Sequence, residues 1–252
     1  MKLKNKSIVV TGASSGMGKA IVEMFVNEGA SVVAVARRKE RLDDLVKSLE
    51  DAEGKVIAFT GDVSKREDVE AMIDCAVHEY GKLDVLVNNA GVMDDMSGIS
   101  DSTDEIYNYV FGINVYGPFA AMRKACQVFL EQGYGGNIIN VSSIGSMHQA
   151  AGAIYGASKA ALNALSRNTA FMYMKDKIRC NVIAPGSIKT EIGSAMGTPN
   201  MEGYNKVSPV IAFSPEAGEA SDIAKTALFL ASDESSYISG AIIQVDGGWT
   251  SF

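Results

Sequence analysis

Short runs of β-branched and other apolar residues alternate along this chain with longer stretches whose apolar positions recur every three or four residues. SIVVTG (7–12) lacks polar alternation and reads as a strand buried on both faces. GKAIVEMFVNEG (18–29) follows with helical spacing and a glycine stop. SVVAVA (31–36) is a second buried strand, and ERLDDLVKSLEDAEG a second helix ending at Gly54. KVIAFTGDV, a helix to about Tyr80, and LDVLVNNAG continue the rhythm. A helix through roughly 103–131, the strand NIINVSS, a helix around Tyr155, the strand IRCNVIAPG, a helix from about Ser221 and the strand AIIQVDGG complete it.

Strands apolar on both sides and joined by helices pack as a parallel sheet covered on both faces. About seven such strands predict one doubly wound α/β domain over residues 1–252. One segment breaks the alternation. Residues 186–220 carry no strand or helix signal, and a structureless insert of that length is expected to be a lid or binding loop.

Between the first strand and the first helix lies TGASSGMG (11–18). Gly12, Gly16 and Gly18 permit a tight turn, close backbone approach to a pyrophosphate, and close helix–strand packing. The helix N-terminus offers free N–H groups to that anion, with Ser14, Ser15 and Met17 beside it. The fold is therefore expected to be a Rossmann-type dinucleotide-binding domain. At the end of the second strand an NAD site places a carboxylate for the adenine ribose. This chain has Ala36 there, then Arg37 and Arg38, which suit a 2′-phosphate. NADP(H) is expected over NAD(H).

AIYGASKAAL (153–162) sets Tyr155 and Lys159 four residues apart, on one helical face, among Ala, Gly and Ser. A free phenol titrates near ~10, too high for a base at neutral pH, and a neighbouring ammonium favours the phenolate. The pair is expected to be an acid/base device in which Lys159 lowers the pKa of Tyr155.

Composition narrows the partners. The net charge of −7 gives no electrostatic support to nucleic acid or an anionic membrane. Three widely spaced cysteines fit a reducing compartment, and two histidines without a ligand cluster imply no metal site. No apolar run approaches the ~18 residues of a membrane span, so a cytoplasmic location is expected.

The motifs TGASSGMG (11–18), GDV (61–63), NNAG (88–91), IN (113–114), the serine of NVSS (140–143), YGASK (155–159) and PGSIKT (185–190) stand in a specific order. With them the whole chain resembles the short-chain dehydrogenases/reductases of roughly 250 residues. The resemblance implies hydride transfer between a secondary alcohol or ketone and NAD(P). It implies that Ser142 hydrogen-bonds the substrate oxygen, Tyr155 passes the proton, and Lys159 assists while gripping the nicotinamide ribose. Asn114 would distort its helix to hold a water linking Lys159 to solvent. Asp62 and Val63 would meet the adenine, Asn89, Ala90 and Gly91 the ribose and nearby backbone. Ile188 and Thr190, in the motif opened by Pro185 and Gly186, would hold the nicotinamide amide.

The lid carries Ile192, Met196, Met201, Val207, Val210, Ile211 and Phe213, so the pocket it closes is expected to be apolar. That favours a hydroxysteroid or bile acid, with Met147, Met196 and Met201 as candidate contacts. Carrier-bound 3-oxoacyl chains come next, and glucose-type polyols third. A non-catalytic NADP sensor would be expected to lose Ser142, Tyr155 or Lys159, and all three are present. The resemblance also implies a homotetramer, with apolar residues of the helices around 103–131 and 153–174, among them Val110, Phe119, Met122, Phe129, Leu162, Leu165, Phe171 and Met172, at the contact.

Overall fold

All five residues of β1 (Ser7–Thr11) are buried, as a strand covered on both faces must be. Its side chains divide by parity: Ile8 and Val10 enter the core on one side of the sheet, Val9 the core on the other. The computed structural model describes residues 1–193 and 196–251. Among them the strands are β1, β2 (Ser31–Ala36), β3 (Lys55–Thr60), β4 (Val85–Asn88), β5 (Gly136–Val141), β6 (Ile178–Pro185) and β7 (Ile242–Val245). They form one sheet in the order β3-β2-β1-β4-β5-β6-β7, every neighbouring pair parallel.

On one face lie α1 (Gly16–Asn27), α2 (Lys39–Ser48) and α8 (Ala220–Ala231), which supply Ile21, Phe25, Leu42, Ile223 and Leu230 to that core. On the other lie α3 (Arg66–Tyr80), α5 (Gly117–Gln132) and α6 (Ala153–Met172), supplying Ile73, Phe129 and Leu162. Burying side chains of this size stabilises the fold by ~1.5–3 kcal/mol each. The chain leaves β3 and crosses back to β4, so β1 has its two flanking connections running in opposite directions. The crevice beyond the carboxyl ends of β1 and β4 is where open α/β sheets hold ligands.

Three elements differ from expectation. The helix through 103–131 is α4 (Asp104–Phe111), a π-helical turn over Gly112–Tyr116, and α5. α2 stops at Ser48, short of Gly54. Gly54 serves a close approach instead, because a Cβ there would collide with the Ala30 carbonyl. The lid is not irregular throughout: it holds α7 (Met201–Ile211), whose first turn is capped where Asn200 Oδ1 accepts the Gly203 N–H at 2.9 Å. Gly203 and Pro209 interrupt the helical pattern and hide it from a periodicity reading. Trp249 Nε1 donates to the Val210 carbonyl at 3.2 Å, tying α7 to the C-terminal segment. Among the described residues no helix is long and apolar enough to cross a membrane.

Candidate active site

The glycine loop is left-handed where its sequence allows it, with φ of 71° at Gly12 and 53° at Gly16. Side chains have no room at the turn: a Cβ on Gly12 would lie 2.8 Å from Asn89 Nδ2 and 2.9 Å from the Ala90 backbone. Asn89 staples the turn, donating from Nδ2 to the Thr11 carbonyl at 3.0 Å, while Thr11 Oγ1 accepts the N–H groups of Asn89 and Ala90 at 3.0 and 3.1 Å. α1 begins at Gly16, so its N-terminus opens directly off this turn.

A cleft of about 300 Å³ runs along the carboxyl ends of the strands. It gathers Gly12, Ser14, Ser15, Gly16 and Met17 with Arg37, Arg38, Asp62, Val63, Asn89, Ala90, Gly91 and Thr190. The other expected cofactor residues stand outside its lining. Gly18 lets α1 pack on Gly12, whose carbonyl a Cβ would strike, and Gly186 lies against Asp246. Pro185 ends β6, and Ile188 bridges to Gly218 while its side chain packs on the core.

At the cleft's outer end Arg38 donates to Ser14 Oγ at 2.9 Å and Ser15 Oγ at 2.8 Å, and pairs with Glu191 at 3.2 Å. Glu191 also pairs with Arg41 at 2.7 Å, and both arginines hold its carboxyl below the usual range. Asp62 accepts the Ser64 N–H at 2.9 Å and its hydroxyl at 2.8 Å. Burial pushes that carboxyl up, but the Ser64 bonds and the Arg37 charge bring it net below its ordinary value. A side-chain-free turn, a helix N-terminus and two arginines fit the diphosphate and charge of a dinucleotide.

The second centre adjoins the cleft at Gly91, where a Cβ would lie 3.1 Å from Lys159 Nζ and 3.3 Å from Asn114 Oδ1. Tyr155 and Lys159 are both buried, one helical turn apart on α6, with the ammonium 5.7 Å from the phenol ring centroid. Lys159 Nζ donates to the Val141 carbonyl at 3.0 Å. Asn114, at the π turn, donates from Nδ2 to Val92 O at 2.8 Å and Ser158 Oγ at 3.1 Å. Its Oδ1 accepts the Val92 N–H at 2.9 Å.

Two expectations are corrected here. The Tyr155 phenol is not lowered by Lys159: burial pushes it up to about 12, opposed by a hydrogen bond with Ser143 and reinforced by the Asp94 charge. Burial likewise drops Lys159 to about 8, so desolvation is the largest cause at both groups. The serine facing Tyr155 is Ser143, not Ser142. Ser142 is buried and turns its hydroxyl inward, donating to the Lys159 carbonyl at 3.2 Å. Ser143 Oγ and the Tyr155 ring meet over Gly145, whose Cβ would lie 3.4 Å from the one and 3.7 Å from the other. Neighbouring residues on an extended backbone point to opposite sides, so a one-residue choice reverses the role.

Residues 12–250 match the family model described as Enoyl-(Acyl carrier protein) reductase. Over 251 residues the chain is 38% identical to 3beta-hydroxysteroid dehydrogenase 2 of Eggerthella lenta, covering 99% of this chain and 96% of that protein. The chain belongs to the short-chain dehydrogenase/reductase family. It is an oxidoreductase of that family, whose members use NAD(P). It is also 36% identical over 249 residues to the 3-oxoacyl-(acyl-carrier-protein) reductase of Thermotoga maritima, covering 98% and 99% of the two chains. A short-chain type dehydrogenase/reductase from Mycobacterium ulcerans superposes with a TM-score of 0.88 at 27% identity, over 99% of this chain and 91% of the other.

Met147, Met196 and Met201, expected at the substrate, are not among the residues that line this cleft. Met147 is 42% exposed and Met201 55% exposed, while Met196 is half-buried. Met93, Tyr109, Ile113 and Ile192 line the cleft instead. Of these Ile192 carried a sequence signal through its place in the lid, and Ile113 through the IN motif. Ser143 had one too, the double serine of NVSS, which fixes the pair but not its parity.

Proposed function

We propose that this enzyme interconverts a secondary alcohol and a ketone on a hydroxysteroid-type substrate, with NADP(H) preferred. The observation that carries the reading is the cluster of half-buried Ser143 with buried Tyr155 and Lys159, the lysine lying beside Gly91 of the cleft. A nicotinamide dinucleotide supplies the hydride acceptor or donor when bound. Gly12, Ser14, Ser15, Gly16, Met17, Asp62, Val63, Ala90, Gly91 and Thr190 would hold it, with Arg37 and Arg38 at the 2′-phosphate. The developing alkoxide needs a donor and a proton. Ser143 Oγ–H donates to the substrate oxygen, and Tyr155 Oη transfers the proton to or from that oxygen. Lys159 would grip the nicotinamide ribose, and Asn114 holds the backbone of Val92 beside it.

NADP(H) is supported by Arg37 and Arg38 at the cleft's outer end and by Ala36 where an NAD site needs a carboxylate. The steroid class is supported by the 38% identity to a 3beta-hydroxysteroid dehydrogenase and by apolar cleft residues such as Met93 and Ile113. The second reading, reduction of carrier-bound 3-oxoacyl chains, is supported by the Thermotoga maritima relative. Against it, Arg123 and Lys124 already pair with Glu70 and Asp74, so they form no free basic surface for an acidic carrier.

We place the enzyme in the cytoplasm as a homotetramer. Phe119, Phe171 and Met172 are exposed on α5 and α6 and available to a second copy, at 40%, 67% and 61% exposure. Val110, Met122, Phe129 and Leu162, expected to join them, are buried in the protomer's own core. A monomer by light scattering would contradict the tetramer.

The test is a set of initial rates of NADP⁺ and NAD⁺ reduction by hydroxysteroids differing in hydroxyl position and orientation. Fast turnover of one isomer with NADP⁺ is expected. No turnover of any steroid, with reduction of a 3-oxoacyl thioester, would overturn the substrate class.

A further inference from the structure

Residues 92–98 run from the cleft toward the lid and are gripped from both sides. Asp94, only 2% exposed, turns its carboxylate onto the N-terminus of α6. Oδ2 accepts the backbone N–H of Tyr155 at 2.8 Å, and Oδ1 accepts that of Met96 at 3.0 Å. The Ser97 carbonyl accepts the Ala153 N–H at 3.0 Å. This approach depends on Gly152, because a Cβ there would collide with both carboxylate oxygens.

The opposite side of the same loop meets the lid. The Asn200 N–H donates to the Asp95 carbonyl at 2.7 Å. Gly203 of α7 packs so closely on the Met96 carbonyl that any Cβ would overlap it. Met96 adopts φ of 66°, a left-handed value costly for a methionine and maintained only where its surroundings fix it. That turn lets one short segment face both helices.

Capping a helix requires only an acceptor, which Ser or Asn provides without charge. Asp94 does more than cap, because its two oxygens hold two separate segments, the start of α6 and the turn at Met96. We propose that Asp94 is a positioning residue, fixing Tyr155 at the start of α6 and joining that helix to the lid helix α7. The proposal rests on Tyr155 as the proton-transfer group. Burial pushes Asp94 upward while the N–H groups of Tyr155 and Met96 hold it down, and neighbouring Asp95 raises it again. The charged groups facing Tyr155 are Lys159 from α6 and Asp94 from the loop, with the neutral Ser143 hydroxyl on the third side.

The experiment compares Asp94→Ala and Asp94→Asn with the wild type as full chains. In Asp94→Ala, kcat should fall about tenfold to a hundredfold, as for a displaced catalytic group, with cofactor affinity by fluorescence titration unchanged. Asp94→Asn keeps a carbonyl acceptor and should recover most of that kcat. Its loss of charge should move the acidic limb of the alcohol-oxidation profile to lower pH. Wild-type kcat in Asp94→Ala, or a limb that stays or moves upward in Asp94→Asn, overturns the proposal. Amide hydrogen exchange over 152–158 and 200–204 needs no substrate and should quicken in both segments of Asp94→Ala; unchanged exchange in either also overturns it. If Asp94→Ala does not fold, Gly152→Ala displaces the carboxylate while retaining it and should reproduce the kcat loss. Failure of the tyrosine reading itself shows separately, as turnover retained in Tyr155→Phe.

Discussion

Asn114 and Val92 bond to each other twice, the side-chain amide of one accepting and donating to the backbone of the other at 2.9 and 2.8 Å. The pairing mimics a strand ladder, and the π turn at Gly112–Tyr116 is what brings the amide level with the loop after β4. Asn114→Ala strands the Val92 groups and the bond to Ser158. It should destabilise the fold by about 2–4 kcal/mol, from unmade buried hydrogen bonds. Urea midpoints check this, and a variant as stable as wild type contradicts it.

Ser143 and Ser142 can be separated by single substitutions. Ser143→Ala removes the hydroxyl facing Tyr155 and should lower kcat about 10²–10³-fold, as loss of an oxyanion donor does. Ser142→Ala removes only a bond to the Lys159 carbonyl and should leave kcat within a small factor of wild type. Steady-state rates decide, and a larger loss in Ser142→Ala would restore the sequence expectation.

Under the proposed preference for NADP(H), Arg38, which lines the cleft and donates to Ser14 Oγ, would read the 2′-phosphate. Arg38→Ala should weaken NADP⁺ binding about tenfold to a hundredfold, the worth of a charge-assisted bond, and leave NAD⁺ nearly unchanged. Paired fluorescence titrations measure it. Equal losses for both cofactors would make Arg38 a loop staple only.

Lys159 carries a pH signature. Its folded-state pKa is about 8, below the ordinary 10.5, so the unfolded chain binds more protons between those values. Stability should therefore rise with pH through that window, because the penalty on the buried ammonium is complete below it and relieved above it. Lys159→Met lacks the ammonium, so its stability relative to wild type should decline from about pH 8 to 10.5. A difference that does not vary with pH contradicts the burial effect.

The sheet was legible because the interiors of β1 and β2 and most of β4 are apolar on both faces, a pattern that double coverage explains. The lid helix was not, since α7 is largely exposed and carries Gly203 and Pro209. Spacing put Tyr155 and Lys159 on one face, but the direction of their titration depends on burial set by distant strands. Phe119 and Phe129 look alike in sequence; one is 40% exposed and the other 1%, because the phase of α5 against the sheet decides which face is covered. Asp94 had no signal of its own, because the N–H groups it accepts are backbone groups that share no motif with it.

The most direct measurement is turnover and NADP⁺ affinity of Tyr155→Phe against wild type, with whichever alcohol the wild type oxidises fastest. The account predicts that turnover falls by at least ~10²–10⁴-fold, the contribution of a positioned acid/base, while NADP⁺ binds as before. Turnover retained without the phenol hydroxyl would contradict it.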